Sequence, residues 1–317
     1  MENVLLKVAP KVSVLMVTYN HEPYISQAVE SALAQKTNFP VEIVIGEDYS
    51  TDNTREILLD LQRAHPEQIR LLLHEQNVGG PANVAATFAA CRGDYVAMLE
   101  GDDYWTDPRK LQRQVDALAA HPHWSACFHI TRRVYTDGSN GPELFPPDWT
   151  KEEATIDDLF QANVICTCSL VFRNRLFGPL PQWHRQITPG DWAIGLLNAA
   201  QGPIGCLPEV MADYRIHPQG MWSKKSPEFQ MRETLKMLSF VDYHFHGKYR
   251  QQIDEYRLGL VSFLAGQIEH LKSQLPPDYG HPVIIVPPSG PRRSAASELV
   301  RKVMRPMEQA VRKWRAA

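Results

Sequence analysis

Glu100-Gly101-Asp102-Asp103-Tyr104-Trp105 places three carboxylates within four residues. Acids that close repel one another unless a cation or water sits among them. Hard divalent cations such as Mn²⁺ or Mg²⁺ take such oxygen ligands and share them with substrate phosphates. Gly101 would let backbone and ligand approach closely. A solvated acidic turn capping the helix that starts at Pro108 is the plainer alternative. A second run, Glu47-Asp48-Tyr49-Ser50-Thr51-Asp52, also ends an apolar stretch. Ser50, Thr51 and Asp52 are good helix caps, which is the role expected for Thr51 and Asp52, whereas Asp48 is expected to meet a ligand. Asp191, in Gly190-Asp191-Trp192, opens a predicted helix, where capping also suits it. His217 follows a β-like run, and a lone histidine is more often structural than a ligand. No His-x-x-x-His spacing occurs among the other histidines.

The elements that must carry these groups follow from the apolar pattern. Residues 12–18, 41–45, 69–73 and 95–99 read as buried strands, and 124–131 and 164–172 as two more. Residues 23–34, 53–63, 81–91, 108–119 and 192–200 read as helices, with Pro81 suited to a first helical position. Near-continuous apolar strands alternating with helices indicate a parallel sheet covered on both faces. Such sheets bind ligands at the carboxyl ends of their strands, where both acidic runs lie. After Ser223 the pattern is helical. Phe229, Leu235, Leu238, Val241 and Phe245 form one stripe, and Ile253, Tyr256, Leu260, Phe263, Leu264, Ile268 and Leu271 another.

The chain has 317 residues, 44% hydrophobic and 22% charged, with a net charge of −3. These values exclude a collagenous, wholly disordered or disulfide-dense protein, and no general attraction to nucleic acid is expected. Five scattered cysteines, of which only Cys166 and Cys168 are close, suggest reduced, buried thiols. The sequence shows no secretory signal and no apolar run of about 18 residues. A cytoplasmic protein is therefore expected. The first strand is followed by Tyr19-Asn20-His21-Glu22, without a glycine-rich dinucleotide or triphosphate loop, which disfavours a nicotinamide dehydrogenase and a P-loop ATPase.

Taken together, the ordered set Val12-Ser13-Val14 through Thr18-Tyr19-Asn20, Glu47 to Thr54, Asn77-Val78-Gly79-Gly80, Gly93-Asp94-Tyr95, Glu100 to Trp105 and Asp107-Pro108-Arg109-Lys110-Leu111 resembles the family 2 glycosyltransferases. The resemblance covers residues 12 to about 223. It implies an α/β GT-A fold: a mostly parallel central sheet flanked by helices, here with a C-terminal helical extension. The implied organisation is a catalytic domain at 1–223, with a nucleotide-sugar half at 1–120 and an acceptor half at 121–223. Outside the resemblance, the helical pattern gives an extension at 224–275, six prolines in sixteen positions give a linker at 276–291, and the charge gives a basic amphipathic tail at 292–317.

The resemblance further implies an inverting transfer of a sugar from a nucleoside diphosphate, UDP or dTDP, to a hydroxyl of a glycan or lipid-linked acceptor in bacterial surface polysaccharide assembly. Nucleotide-sugar contacts are implied for Thr18, Tyr19, Asn20, Glu22, Asp48, Asn77, Gly80, Asn83, Glu100, Gly101 and Asp102. Asp102, Asp103 and His217 would hold Mn²⁺ or Mg²⁺, and Asp191 would be the catalytic base. The family's usual Asp-x-Asp reads Glu100-Gly101-Asp102 here, one methylene longer at the first acid. Trp105, Trp192 and Trp222 are candidates for stacking on acceptor sugars, with core packing as the alternative. Two other classes compete: a nucleotide-sugar-binding protein without turnover, and a sugar nucleotidyltransferase. The latter is weakened by the absence of a basic, glycine-rich triphosphate loop. The tail's eight basic and two acidic residues flank an apolar stripe. That stripe suits an anionic membrane surface, with the protein peripheral on the inner face of the plasma membrane, but equally the catalytic domain or the second subunit of a homodimer.

Overall fold

A computed structural model describes residues 9–138 and 143–273, with side chains as far as 266. The linker and tail expectations lie outside the described residues. The chain forms two compact units, one ending at Ser226 and the other beginning at Pro227.

The first unit begins β1 (Val12–Thr18), α1 (Ile25–Leu33), β2 (Val41–Glu47), α2 (Thr54–Ala64), β3 (Ile69–Leu73), α3 (Gly80–Ala90), β4 (Tyr95–Glu100). It continues with β5 (Tyr104–Trp105), α4 (Lys110–Ala120), β6 (Ala126–Tyr135), β7 (Glu143–Phe145), β8 (Glu153–Ala154) and α5 (Ile156–Gln161). It closes with β9 (Val171–Arg173), α6 (Gly190–Ala199) and β10 (Ile204–Ile216). All seven residues of β1 are buried, as a strand covered on both faces requires. α1 buries Ile25, Ala28, Val29 and Ala32, the spacing of one helical face.

The sheet runs β3-β2-β1-β4-β9-β6-β10-β5, with β7 on β6 and β8 on β10. Its first four strands are parallel. Beyond β4 it is mixed, because β9 runs antiparallel to both β4 and β6, while β6 and β10 are parallel. The sheet is mostly parallel, as expected, since its long ladders are all parallel and only short ones are antiparallel. Register explains the placement of the motifs. Thr18 is opposite Glu47 across β1 and β2, and Val17 opposite Glu100 across β1 and β4. The two acidic runs thus leave the sheet at one edge. β10 pairs with β5, Asp213 opposite Tyr104, so the residues after β10 arrive beside the second run.

One expected strand does not form as read. Within 164–172, residues Thr167–Ser169 make a 3₁₀ turn and only the end continues as β9. Trp105 Nε1 donates to the carbonyl of Cys168 (2.9 Å) and Gln114 Nε2 to that of Ser169 (2.9 Å), so side chains claim carbonyls that a longer strand would need.

The second unit contains α7 (Pro227–His244) and α8 (Arg250–Ser273). Leu235, Leu238 and Val241 of the expected stripe are buried, together with Met237 and Phe240. On α8, Ile253 is buried and Phe263 is exposed. No described helix is long and apolar enough to cross a membrane.

Candidate active site

At the sheet edge, the loops after β1 and β2 are stapled together. Asn20, at φ 54°, donates its N–H to Ser50 Oγ (3.0 Å) and its Oδ1 accepts from Thr51 N (2.8 Å). Glu22 accepts from the backbone and side chain of Asn53, at 3.1 and 2.6 Å. Asp52 Oδ1 accepts from Thr54 N (3.0 Å) at the start of α2. Thr51 turns to Asn20 instead of capping. Tyr19 is exposed, and Thr18 is buried with no partner for Oγ1.

Asp48 is buried, and both its oxygens hold the next loop: Val78 N donates to Oδ1 (2.7 Å) and Gly79 N to Oδ2 (3.0 Å). Asn77 Nδ2 donates to the Asp48 carbonyl (3.1 Å). Gly79 has φ 86°, a conformation that favours glycine. Asn83 is a correction. It is buried, donates to the Gly46 carbonyl (2.8 Å) and pairs with His74 Nε2 (3.1 Å), so it ties α3 to β2 and is closed to a ligand. Gly101 serves the chain itself: a Cβ there would lie 2.6 Å from Thr18 Oγ1 and 2.9 Å from His21 Nδ1.

Past β4, ligand atoms of Glu100, Asp102 and Asp103 lie within 4.8 Å of one another. Asp103 Oδ1 accepts from Arg215 N (2.9 Å), while its buried Oδ2 has no partner. Asp102 Oδ2 lies 3.0 Å from His217 Nε2 and 3.5 Å from His21 Nε2. Arg215 also donates to the Asp102 carbonyl (2.6 Å) and packs over the Tyr104 ring. Burial and the neighbouring charges of Asp102 and Asp191 push the Glu100 carboxyl well above its ordinary range. Burial, then the charge of Asp102, does the same to Asp103. Burial would raise Asp102 as well, but His21 and His217 outweigh it and hold that carboxyl low. The arrangement is one carboxylate held charged between imidazoles, beside two that resist ionising without a cation.

Asp191 stands in the first turn of α6 and approaches the same cluster. Its Oδ2 accepts from Thr167 Oγ1 (3.1 Å) and Asn163 Nδ2 (3.3 Å). Burial raises its pKa against these bonds. Glu100, Thr167 and Asp191 border one open cavity, with Gly80 and Met221 at its side.

Two tryptophans expected to stack on acceptor sugars are core residues. Trp105 and Trp192 are buried, and their indole N–H groups donate to the carbonyls of Cys168 and Leu159, at 2.9 and 2.8 Å. An indole in the core needs such a partner, and neither ring borders the cavity. Trp222 is half-buried. Sequence reasoning gave no role to His21, Asn163, Thr167 or Arg215. His21 and Arg215 adjoin motifs that were singled out, a usable signal. Asn163 and Thr167 had none, because they meet Asp191 only through the fold.

The family model for glycosyl transferase family 2 matches residues 13–177, just over half of the chain, including both acidic runs. The chain belongs to glycosyl transferase family 2. An uncharacterized protein of Mycobacterium tuberculosis is 40% identical to this chain over 211 residues, covering 66% of it. The chain spans 60% of that relative's length. Two solved structures share the GT-A fold. One is the mannosyltransferase PcManGT of Pyrobaculum calidifontis in complex with GDP-Man and Mn²⁺, with a TM-score of 0.62 and 17% identity over 97% of this chain and 84% of that one. The other is S. aureus TarS 1-349 in complex with UDP-GlcNAc, with a TM-score of 0.55 and 20% identity over 73% of this chain and 66% of that one.

Proposed function

We propose that this glycosyltransferase moves a sugar from a nucleoside diphosphate to a hydroxyl of a glycan or lipid-linked acceptor, with inversion at the anomeric carbon. The observation that carries this reading is the convergence of Asp191 with Glu100, the first acid of the β4 tip, on one cavity. Asp191 accepts the acceptor's proton as its hydroxyl oxygen attacks the anomeric carbon from the face opposite the diphosphate. The bond to the diphosphate breaks in the same displacement, and a single displacement inverts configuration. Thr167 and Asn163 hold the base in place. The exposed Tyr19 and the loop of Asn20 and Asp48 lie where the nucleotide would rest, on the carboxyl edge of β1 and β2. UDP and dTDP suit this reading. PcManGT carries a GDP-sugar and TarS a UDP-sugar, so the base is a matter for experiment.

The residues fit a divalent cation: three oxygen donors converge, and Asp103 Oδ2 is buried with its lone pairs unused. Asp102 and Asp103, with Glu100 and His217 at hand, would hold Mn²⁺ or Mg²⁺. The ion would supply positive charge against the leaving diphosphate. The complex of PcManGT with Mn²⁺ supports this choice.

Asp191→Asn tests the base. Transfer should fall to background while nucleotide binding persists, and near-normal turnover would remove Asp191 from the reaction. Chelation should stop transfer and added Mn²⁺ or Mg²⁺ should restore it; full activity in excess chelator would refute the metal.

A further inference from the structure

The cavity beside Asp191 has a histidine that neither the base nor the acid cluster uses. His184 lies in the 3₁₀ turn Gln182–Gln186 and is buried. Its Nε2 is 3.1 Å from the Gly190 carbonyl. A carbonyl can only accept, so Nε2 carries the proton and Nδ1 presents a lone pair. Nδ1 is buried with no partner. Burial lowers the ring's pKa to about 4, so it is neutral at physiological pH and keeps that lone pair. The contact depends on Gly190, where a Cβ would stand 3.0 Å from the imidazole.

Much of the remaining wall is apolar: Val17, Val84, Met98, Leu99 and Met221 line it. A sugar hydroxyl turned against that wall would lose water and gain nothing. A methyl group would gain from the same burial. Beside the carboxylates of Glu100 and Asp191 and the hydroxyls of Thr167 and Thr188, the site thus sets the unpartnered acceptor of His184 next to an apolar surface.

We infer that His184 and this wall select a donor sugar in which a methyl group adjoins an N–H or O–H, as in an acetamido sugar or a 6-deoxy sugar. The inference rests on the proposed transfer at Asp191 and adds the class of sugar transferred. The N–H or O–H donates to Nδ1, and the methyl meets the side chains of the wall.

Donor pairs that share a nucleotide test the acetamido and 6-deoxy groups separately. Binding of UDP-GlcNAc against UDP-glucose, and of dTDP-6-deoxyglucose against dTDP-glucose, is measured on the full chain with Mn²⁺. In one pair the methyl-bearing donor should bind tighter by about tenfold or more, and which pair responds tells acetamido from 6-deoxy. His184→Phe, which keeps the ring but not the lone pair, should abolish that preference and leave UDP and dTDP binding unchanged. His184→Asn, which restores an acceptor, should recover part of it. Val84→Thr, nearly isosteric, should weaken the preference without touching His184, and it serves if the histidine variants do not fold. Equal binding within both pairs, or a preference that survives both His184→Phe and Val84→Thr, would overturn the inference alone. Failure to bind any nucleotide or nucleotide-sugar would overturn the proposed function with it.

Discussion

Thr167 Oγ1 donates to Asp191 Oδ2 at 3.1 Å. The hydroxyl fixes the proposed base on the wall of the cavity that Glu100 also borders. A carboxylate that must receive a proton in a fixed direction depends on such positioning, and misplacement of about 1 Å can cost ~100-fold in rate. Thr167→Val should therefore lower kcat by about 10- to 100-fold with little change in donor KM, and Thr167→Ser should keep most of the activity. Steady-state kinetics on both variants checks this. A KM effect alone would make Thr167 a packing residue.

His217 and His21 approach the same oxygen of Asp102 from two sides, at 3.0 and 3.5 Å. If Asp102 holds the cation, an imidazole that orients or joins it should govern metal affinity. His217→Ala should weaken Mn²⁺ binding by about 10- to 100-fold, with a smaller loss for His21→Ala. Titration of Mn²⁺ against each purified variant measures this directly. Unaltered Mn²⁺ affinity in both would confine the metal to the carboxylates.

Farther from the chemistry, Glu42 on β2 is fully buried and collects charge-assisted bonds: Arg92 Nη2 at 2.7 Å, Arg70 Nη1 at 3.0 Å and Ser13 Oγ at 2.6 Å. Burial would raise its carboxyl, but these donors outweigh it, so its pKa lies below the ordinary 4.5. A carboxyl lowered on folding contributes stability that is full above the ordinary value and is lost as pH falls through the lowered one. Glu42→Gln should cost about 2 to 4 kcal/mol at neutral pH. The variant should also lose less stability than the natural protein between about pH 5 and pH 3. Urea unfolding at neutral pH and at both ends of that range tests both statements, and parallel curves would refute the pH argument.

The parallel half of the fold was readable because its signals were local. The run 69–73 matches β3 at both ends, and the other early strands agree to within two residues, since buried parallel strands are continuous apolar runs. The acidic runs could be placed at the sheet's carboxyl edge because each ends an apolar strand. What could not be read depends on contacts across long separations. Thr167 and Asn163 reach Asp191 across 24 and 28 residues, and Trp105 finds the Cys168 carbonyl across 63. A tryptophan beside a motif looks the same in sequence whether its ring faces a sugar or the core. The bend at 167–169 was hidden because the run 164–172 is apolar enough for a strand, and side chains distant in sequence capture its carbonyls.

The same tertiary crowding buries Lys110. Its ammonium is 4.2 Å from the centre of the Trp105 ring and has no hydrogen-bond partner. Burial, only partly opposed by nearby Cys168 and Cys127, lowers its pKa from 10.5 to about 7. Between those values the unfolded chain binds a proton that the folded chain does not. This residue's contribution to stability therefore rises with pH from about 7 to about 10.5, and below about 7 the folded protein carries the full cost of a buried charge. Lys110→Met keeps the length and most of the volume while removing the charge. It should raise Tm at pH 6 by a few degrees, and the gap should shrink or vanish at pH 10. Thermal unfolding of both proteins at the two pH values decides it. A variant less stable at pH 6 than at pH 10, relative to the natural protein, would mean that the attraction between ammonium and indole exceeds the cost of burying the charge.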